Sequence, residues 1–177
     1  MHPIEELENE HGAIRTAVKI LEEISRRIEA GQKVKSEDLS GLLDFIRTFA
    51  DRCHHAKEEG LLFPAMEKAG VPRERGPIGV MLAEHEEGRS CVKGMAEAVN
   101  NQDAFAEQAR KYADLLARHI EKEDKILYPM AERRLSGKTW EEMEKGFEKI
   151  ERDVVGPGRH EAYHRFLHRL EETYLAK

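Results

Sequence analysis

HHAKEEGLLFP, at positions 54–64, and HIEKEDKILYP, at positions 119–129, share one frame. Each string contains a histidine, a glutamate four residues later, an adjacent second acid, a leucine–aromatic pair and a proline. A spacing of four places the histidine and the glutamate one turn apart on the same face of a helix. The repeat therefore predicts two helices that present ligand-type side chains where an apolar stripe would be expected to continue.

The composition favours a helical protein in one domain. The chain has 177 residues, of which 36% are charged and 40% hydrophobic, and its net charge is −6. A chain of this length can bury a sizeable core as a single domain, predicted here to span 1–177. The sequence has no basic stripe and no long apolar run, so it predicts neither nucleic acid nor a membrane as a partner.

The cysteines and the N-terminal residues bear on the cellular location of the protein. Cys53 and Cys91 are isolated from each other, which is typical of a reducing environment rather than of a disulfide scaffold. The acidic start, MHPIEELENEHG, lacks the basic-then-apolar layout of a signal peptide. We therefore expect a cytoplasmic location.

Four long amphipathic helices are predicted before the C-terminal region. The first runs from Pro3 to about Glu29, because proline and nearby acids suit the first turn of a helix. Ser36 is the predicted N-cap of the second helix, and Pro77 opens the third. Long helices with short connections predict an all-α fold, an antiparallel four-helix bundle over about 3–136.

Two prolines and the C-terminal region, about 139–177, complete the predicted architecture. Pro64 and Pro129 follow the glutamates of the two strings, and each is expected to kink or end its helix. Thr139 and Glu142 form a predicted capping box for a fifth helix. Additional short C-terminal helices are therefore expected over about 139–177.

Six ligand-type residues recur in the order His, His-x-x-x-Glu along two predicted helical hairpins. They are His11, His54, Glu58, His85, His119 and Glu123. Glu58 and Glu123 share helix faces with Leu62 and Ile126, which predicts that both carboxylates are buried. When the hairpins pack, four imidazoles and two carboxylates converge, a donor set that suits two first-row metal ions. The carboxylates and an oxo or hydroxo group could bridge these ions, and each ion would keep an open position.

His54 and His55 compete for the inward face of the second helix. One helix position corresponds to about 100° of rotation, so the sequence predicts that only one of them faces the site. His54 aligns with His119 when the strings are registered on their prolines, and a glutamate follows it by one turn. We therefore assign His54 to the site. His55, Glu59 and Asp124 are placed at the surface or beside a ligand imidazole, which they could orient.

The repeated order resembles that of the hemerythrin-like, or His-His-Glu cation-binding, family. Both strings are similar to its signatures, and EHG at 10–12 and AEHEEGR at 83–89 look like its lone-histidine helices. The resemblance covers about residues 4–136. It implies a non-haem di-iron centre bound by the six residues above. It also implies chemistry with dioxygen, nitric oxide or peroxide, in sensing or in an oxidative or nitrosative stress response.

Two departures from the oxygen-carrying members favour sensing or redox turnover. Those members have a second histidine one turn after the third-helix histidine, where this chain has Arg89, and His-x-x-x-x-Asp where it has His119-x-x-x-Glu123. An ion with one imidazole fewer is less saturated, which disfavours a reversible carrier and leads us to expect a weak peroxidase or catalase-like activity. Arg89 and Tyr112 are predicted to lie just outside the ligands, with Arg89 donating hydrogen bonds to a bound anionic species.

Three alternatives remain open in the sequence. Glu8-x-x-His11 and Glu161-x-x-His164 match the short motif of ferritin-like iron-storage bundles, although the two strings do not fit that scheme. Zinc or manganese could replace iron, because imidazole and carboxylate also bind these ions. The chain could also be a metal-stabilised interaction module whose protein partner the sequence does not name. The role of three C-terminal histidines is open between a second metal site and an exposed helix edge: His160, His164 and His168.

Overall fold

Six helices make up the fold in the computed structural model, which describes residues 1–176. Their bounds are Pro3–Glu29 (α1), 36–68 (α2), Pro77–Glu97 (α3), 102–134 (α4), 137–155 (α5) and 159–175 (α6). The predicted starts of the first and third helices are confirmed, and so is the all-α bundle. α4 packs along both α1 and α3, and the middle of α2 packs against the same two helices. No helix within these residues has the length and apolar character needed to cross a membrane.

Two predicted helix caps are wrong. Ser36 is itself the first residue of α2, and Lys35 precedes it without a side-chain cap. The capping box does not form either, because α5 begins at Gly137 and Thr139 already lies in its first turn. A cap contributes about 1 kcal/mol, whereas burial of one large apolar side chain contributes about 1.5–3 kcal/mol.

α2 and α4 continue through Pro64 and Pro129, so the prediction that these prolines could end their helices is wrong. A widened, π-helical turn precedes each proline, over Glu58–Leu62 and Glu123–Leu127. In both turns the backbone N–H five residues after the glutamate donates to the carbonyl of that glutamate. The wider turn makes room for the proline ring, which would clash with the preceding turn of a regular α-helix.

One apolar residue beside the widened turn of α4 faces outward, against the prediction. Ile126, predicted to be buried, is 51% exposed, whereas Leu127 is fully buried. Leu127 stands four residues after Glu123, as Leu62 stands four residues after Glu58, and Leu62 is buried as predicted. The two helices therefore bury the same position of their strings, and the prediction for α4 was wrong by one residue.

Two apolar clusters lie on either side of the ligand-type residues. The larger includes Leu21, Phe45 and Phe105, and the smaller includes Leu7 and Phe63. Along each of the four bundle helices, the change from one cluster to the other occurs at the ligand-type residues. The polar side chains are thus held between two close-packed layers that resist rearrangement.

The C-terminal hairpin of α5 and α6 covers one side of the bundle. Gly156 and Gly158 have positive φ angles of 79° and 75°, which permit the reversal between the two helices. Phe147 of α5 is buried in the smaller cluster, and Leu170 of α6 is buried in the larger one. The hairpin therefore spans both apolar layers and passes the level of the ligand-type residues.

Candidate metal centre

The six ligand-type residues predicted from the repeat are buried together. α1 supplies His11, α2 supplies His54 and Glu58, α3 supplies His85, and α4 supplies His119 and Glu123. None of them is more than 1% exposed. Burying so many ionisable groups is costly unless they are paired with one another or bind a metal ion.

Their nitrogen and oxygen atoms fall into two groups that could each hold a metal ion. Within each group, one ligand atom from every residue lies within 4.8 Å of the others. The first, the His11 group, consists of His11, His54, Glu58 and Glu123. The second, the His85 group, consists of His55, His85, His119 and Glu58. Because they share a carboxylate, the two groups are adjacent.

Glu58 and Glu123 each face both groups. Oε2 of Glu123 lies 3.1 Å from Nε2 of His11, and Oε1 lies 3.0 Å from Nε2 of His119. Oε2 of Glu58 lies 3.3 Å from Nε2 of His85, and its other oxygen is directed toward the His11 group. A carboxylate with one oxygen toward each of two ligand clusters is placed to bridge two cations.

Two imidazole nitrogens of the centre, Nε2 of His54 and Nε2 of His55, are buried without a hydrogen-bond partner among residues 1–176. Two carboxylate oxygens, Oε2 of Glu58 and Oε1 of Glu123, are buried and face imidazole nitrogens of the centre. An unsatisfied buried polar atom costs about 1–3 kcal/mol. Imidazole nitrogen and carboxylate oxygen are common metal donors, so metal ions would satisfy all four atoms at once.

His55 is buried in the His85 group, so a position at the surface, one of the two predicted for it, is wrong. Its side chain is 4% exposed, and its ring stacks on that of His85 with centroids 3.9 Å apart. The neighbouring His54 faces the His11 group. The prediction of a single inward residue fails because α1 covers one side of α2 and α3 covers another. The buried arc of α2 is therefore wider than the rotation between two successive residues.

A carboxylate from the other helix of the same hairpin holds Nδ1 of each paired histidine. Nδ1 of His54 donates to Glu10 at 2.7 Å, and Nδ1 of His119 donates to Glu84 at 3.1 Å. Such a partner fixes the tautomer and leaves Nε2 free to bind a metal ion. The sequence analysis missed both glutamates. The signal that could have found them is the Glu-His dipeptide that ends in each lone histidine.

The lone histidines are held in the same way across the two hairpins. Nδ1 of His11 donates to Asp124, and Nδ1 of His85 donates to Glu59, both at 2.6 Å. This is the orienting role that the sequence predicts for these two acids. Each acid directly follows the glutamate of its string, so the adjacent pair of acids serves both the centre and the neighbouring hairpin.

Comparison with known proteins agrees with this geometry. The model of the hemerythrin HHE cation binding domain matches residues 2–131. This chain belongs to that family. The match ends near the close of α4, so the C-terminal hairpin lies outside the matched region.

Curated relatives of this HHE protein include one from Mycobacterium bovis and two from Mycobacterium tuberculosis, all described as uncharacterized. Each is 26% identical over 160 residues, and the match covers 86% of this chain and 62% of the relative. The chain thus spans about three fifths of the length of these relatives. No solved structure matches the chain significantly.

Three carboxylates engage Arg89 of the HHE domain. Its guanidinium donates to Asp51 at 2.9 Å, to Glu59 at 2.8 Å and to Glu86 at 2.5 Å. Asp51 in turn lies 3.4 Å from Nδ1 of His55. Arg89 thus lies just outside the ligands, as predicted. All three of its nitrogens already donate to carboxylates, so the prediction that it donates to a bound anionic species has no support in its contacts.

Tyr128, and not the predicted Tyr112, is the tyrosine whose hydroxyl contacts the centre. Its Oη donates to Oε1 of Glu58 at 2.7 Å and lies 3.2 Å from Nε2 of His11. Burial raises the pKa of Tyr128 well above its ordinary value, so the phenol stays protonated. Among residues 1–176, no hydrogen bond joins Tyr112 to the histidines or carboxylates of the centre. Its ring lines a cavity instead.

This cavity, of about 200 Å³, lies beside the His85 group. His55 and His85 form part of its wall, together with Gly88 and Tyr112. Gly88 has no side chain to fill this space beside the centre. Exposed cationic side chains lie at the edge of the cavity, which places its mouth at the protein surface.

Three histidines of the metal-free centre have raised pKa values, which favours their protonated form. Burial lowers the pKa of His11, His85 and His119, but hydrogen bonds and charges from the carboxylates outweigh it and raise these pKa values to about 9, 11 and 9. Burial raises the pKa of Glu123, but the facing histidines hold it well below its ordinary value. His55 differs, because burial and the neighbouring imidazoles lower its pKa. Metal binding must therefore displace protons from the centre.

The residues of the alternative readings lie away from the centre. Glu8 and Glu161, which the ferritin-like scheme requires, are exposed. His164 and His168 are also exposed, and His160 is half-buried. The groups within residues 1–176 that could hold a metal ion include none of these three histidines.

A third cluster of ligand-type atoms already contains a cation. It consists of Glu10, Cys53 and Glu151, beside the His11 group. Nζ of Lys57 pairs with Glu10 and lies 3.3 Å from Glu151, and the lysine side chain is fully buried. The lysine therefore offsets part of the negative charge of these acids, and burial raises the pKa of the Cys53 thiol far above its ordinary value.

Proposed function

We propose that this chain is a di-iron protein that binds or reacts with dioxygen, nitric oxide or hydrogen peroxide. The observation that carries the proposal is the position of Glu58 and Glu123, each with one oxygen toward the His11 group and one toward the His85 group. Two adjacent cations repel each other, and anionic groups between them reduce that repulsion. A single ion would need only one of the two groups.

Iron is the metal that family membership favours, and the donors agree with it. Imidazole and carboxylate together suit iron, although they also accept zinc or manganese. When bound, a pair of irons would supply redox chemistry and a position for a small exogenous ligand. The cavity of about 200 Å³ beside the His85 group has room for small molecules only. This restriction supports a role in sensing or in an oxidative or nitrosative stress response.

The chain's own side chains would orient the ligands, exclude water and hold one proton. Outer carboxylates fix the imidazoles through Nδ1, as described above. The apolar clusters on both sides of the centre exclude bulk water, which strengthens the electrostatic interactions inside. Tyr128 holds a proton on Oη beside Glu58 and His11.

Anaerobic reconstitution with ferrous iron tests the proposal. We expect two irons per chain, and a visible absorption band after exposure to oxygen or peroxide. A separate sample exposed to nitric oxide should give a different spectrum. Zinc-loaded protein is the matched control, because zinc binds the same donors without a visible band. One iron or fewer per chain would overturn the proposal. So would a visible absorption spectrum that none of the three molecules changes.

The same preparation separates a carrier from an enzyme. Release of intact oxygen under vacuum identifies a reversible carrier. Irreversible oxidation in air, with slow consumption of peroxide, identifies redox turnover.

A further inference from the structure

We propose that His55 is a metal ligand, so that three imidazoles bind one ion of the pair and two bind the other. The inference rests on the proposed function, because it concerns the same two ions. It makes them chemically different. The ion in the His85 group would have one imidazole more than the ion in the His11 group.

The ring nitrogens of His55 carry the argument. One of them lies within 4.8 Å of the ligand atoms of Glu58, His85 and His119. Nδ1 faces Asp51 at 3.4 Å, which leaves Nε2 for the centre. Nε2 is buried and has no hydrogen-bond partner among residues 1–176. A histidine that only filled the core would be expected to satisfy that nitrogen with a backbone or side-chain group.

The surroundings of His55 repeat those of the four predicted ligand imidazoles. Each of those four directs Nδ1 to a carboxylate, and Asp51 occupies that place for His55. Arg89 holds Asp51 and Glu59 together, so one cation supports the carboxylates behind both His55 and His85. Outer partners of this kind position and tune metal ligands. His55 thus has the same kind of carboxylate partner at Nδ1 as the four predicted ligand histidines.

The sequence contains no counterpart of His55 in the second hairpin. The equivalent position of the second string is Ile120, which is 1% exposed and belongs to the larger apolar cluster. The additional imidazole therefore exists on one side only, and the difference between the two ions is built into the chain.

Removal of the side chain followed by chemical rescue tests the inference. In His55→Gly protein loaded anaerobically with ferrous iron, we expect one ion to bind as in the wild type. The affinity for the second should fall at least about tenfold. Millimolar imidazole should restore it, because the cavity beside His55 opens to the surface and exceeds the size of an imidazole ring. Metal content and competition with a chelator measure both effects.

Controls separate ligation from packing. Imidazole should change neither the wild type nor His164→Gly, which loses an exposed histidine. Glycine within a helix costs about 1 kcal/mol relative to alanine, so His55→Ala is tested in parallel and the metal-free melting temperatures are compared.

Two results would overturn the inference. The first is a His55 variant that binds both ions with wild-type affinity. The second is loss of the second ion that imidazole does not restore, which would assign His55 a packing role. Failure of the wild type to bind two ions would instead refute the proposed function.

Discussion

The two strings occupy equivalent turns of α2 and α4, yet only the first directs two imidazoles into the centre. His55 of the first string corresponds to Ile120 of the second, and both residues are buried, at 4% and 1% exposure. The fold thus buries this position in both helices, whatever residue occupies it. The residue type alone decides whether the position adds a donor to the centre or an apolar group to the core.

Outside this position, four ion pairs around the centre form two matching sets, one in each half. In each string, the lysine one residue before the glutamate pairs with the glutamate that precedes the lone histidine of its own hairpin. In each half, an arginine one turn after the lone histidine pairs with the acid from the other string. The pairs are Lys57 with Glu10, Lys122 with Glu84, Arg15 with Asp124, and Arg89 with Glu59.

The C-terminal hairpin makes the halves unequal in burial. Lys57 is fully buried beneath α5, where its ammonium lies 5.4 Å from the centroid of the Phe147 ring. Lys122, its counterpart, is 38% exposed. The same contact is therefore desolvated in one half and solvated in the other, which changes its expected energetic weight.

The largest expected effect follows removal of a bridging carboxylate. Glu58→Ala and Glu123→Ala should each reduce binding from two irons to one or none, because either glutamate faces both groups. Metal content after anaerobic loading measures the loss. Glu121→Ala is the control within the second string, since this glutamate is 58% exposed. Retention of two irons in both bridging variants would rule out the shared role.

The next largest effect compares the two lysines. Lys57→Met removes the cation that faces buried Glu10, and breaking a buried pair costs about 3–5 kcal/mol of unfolding free energy. Lys122→Met breaks a partly exposed pair and should cost about 1 kcal/mol or less. Chemical denaturation of the metal-free proteins measures both. Equal losses would show that the C-terminal hairpin does not set the strength of this contact.

A smaller effect is expected from the acids that orient the lone histidines. Asp124→Asn and Glu59→Gln each weaken the support of one Nδ1 atom, which should lower metal affinity about 10–100-fold. Similar losses in the two variants would sharpen the symmetry between the halves. Glu86→Gln is the control, because Glu86 pairs with Arg89 but is 73% exposed and contacts no imidazole of the centre. Chelator competition gives the affinities.

The smallest effect comes from making the first string like the second. His55→Ile removes a buried imidazole with an unsatisfied nitrogen, so the metal-free protein should gain about 1 kcal/mol in unfolding free energy. That gain corresponds to about 2–4 °C in melting temperature. The metal-loaded variant should be less stable than the metal-loaded wild type, because one ion loses a ligand. Destabilisation of the metal-free variant would show that the ring is needed for packing.

Local signals in the sequence predicted much of the fold and most of the centre. The starts of α1 and α3 follow from a proline in the first turn, which is accompanied by two acids in α1, and these signals act over a few residues. The repeated His and His-x-x-x-Glu frame identified six residues that the structure buries together. That these residues bind iron remains a prediction. Such signals succeed because helix periodicity links residues three and four apart without reference to the rest of the chain.

Only the tertiary structure decided which side chains complete the centre. His55 turns inward because α3 covers its side of α2. Tyr128 of α4 contacts Glu58 of α2, a residue 70 positions earlier in the chain. The acids at Nδ1 pair across helices distant in sequence. Compared with the oxygen-carrying members of the family, α3 lacks the second histidine, because Arg89 stands in its place. His55 of α2 faces the same group of ligand atoms. These features depend on which helices lie side by side. Local sequence periodicity does not specify those tertiary contacts.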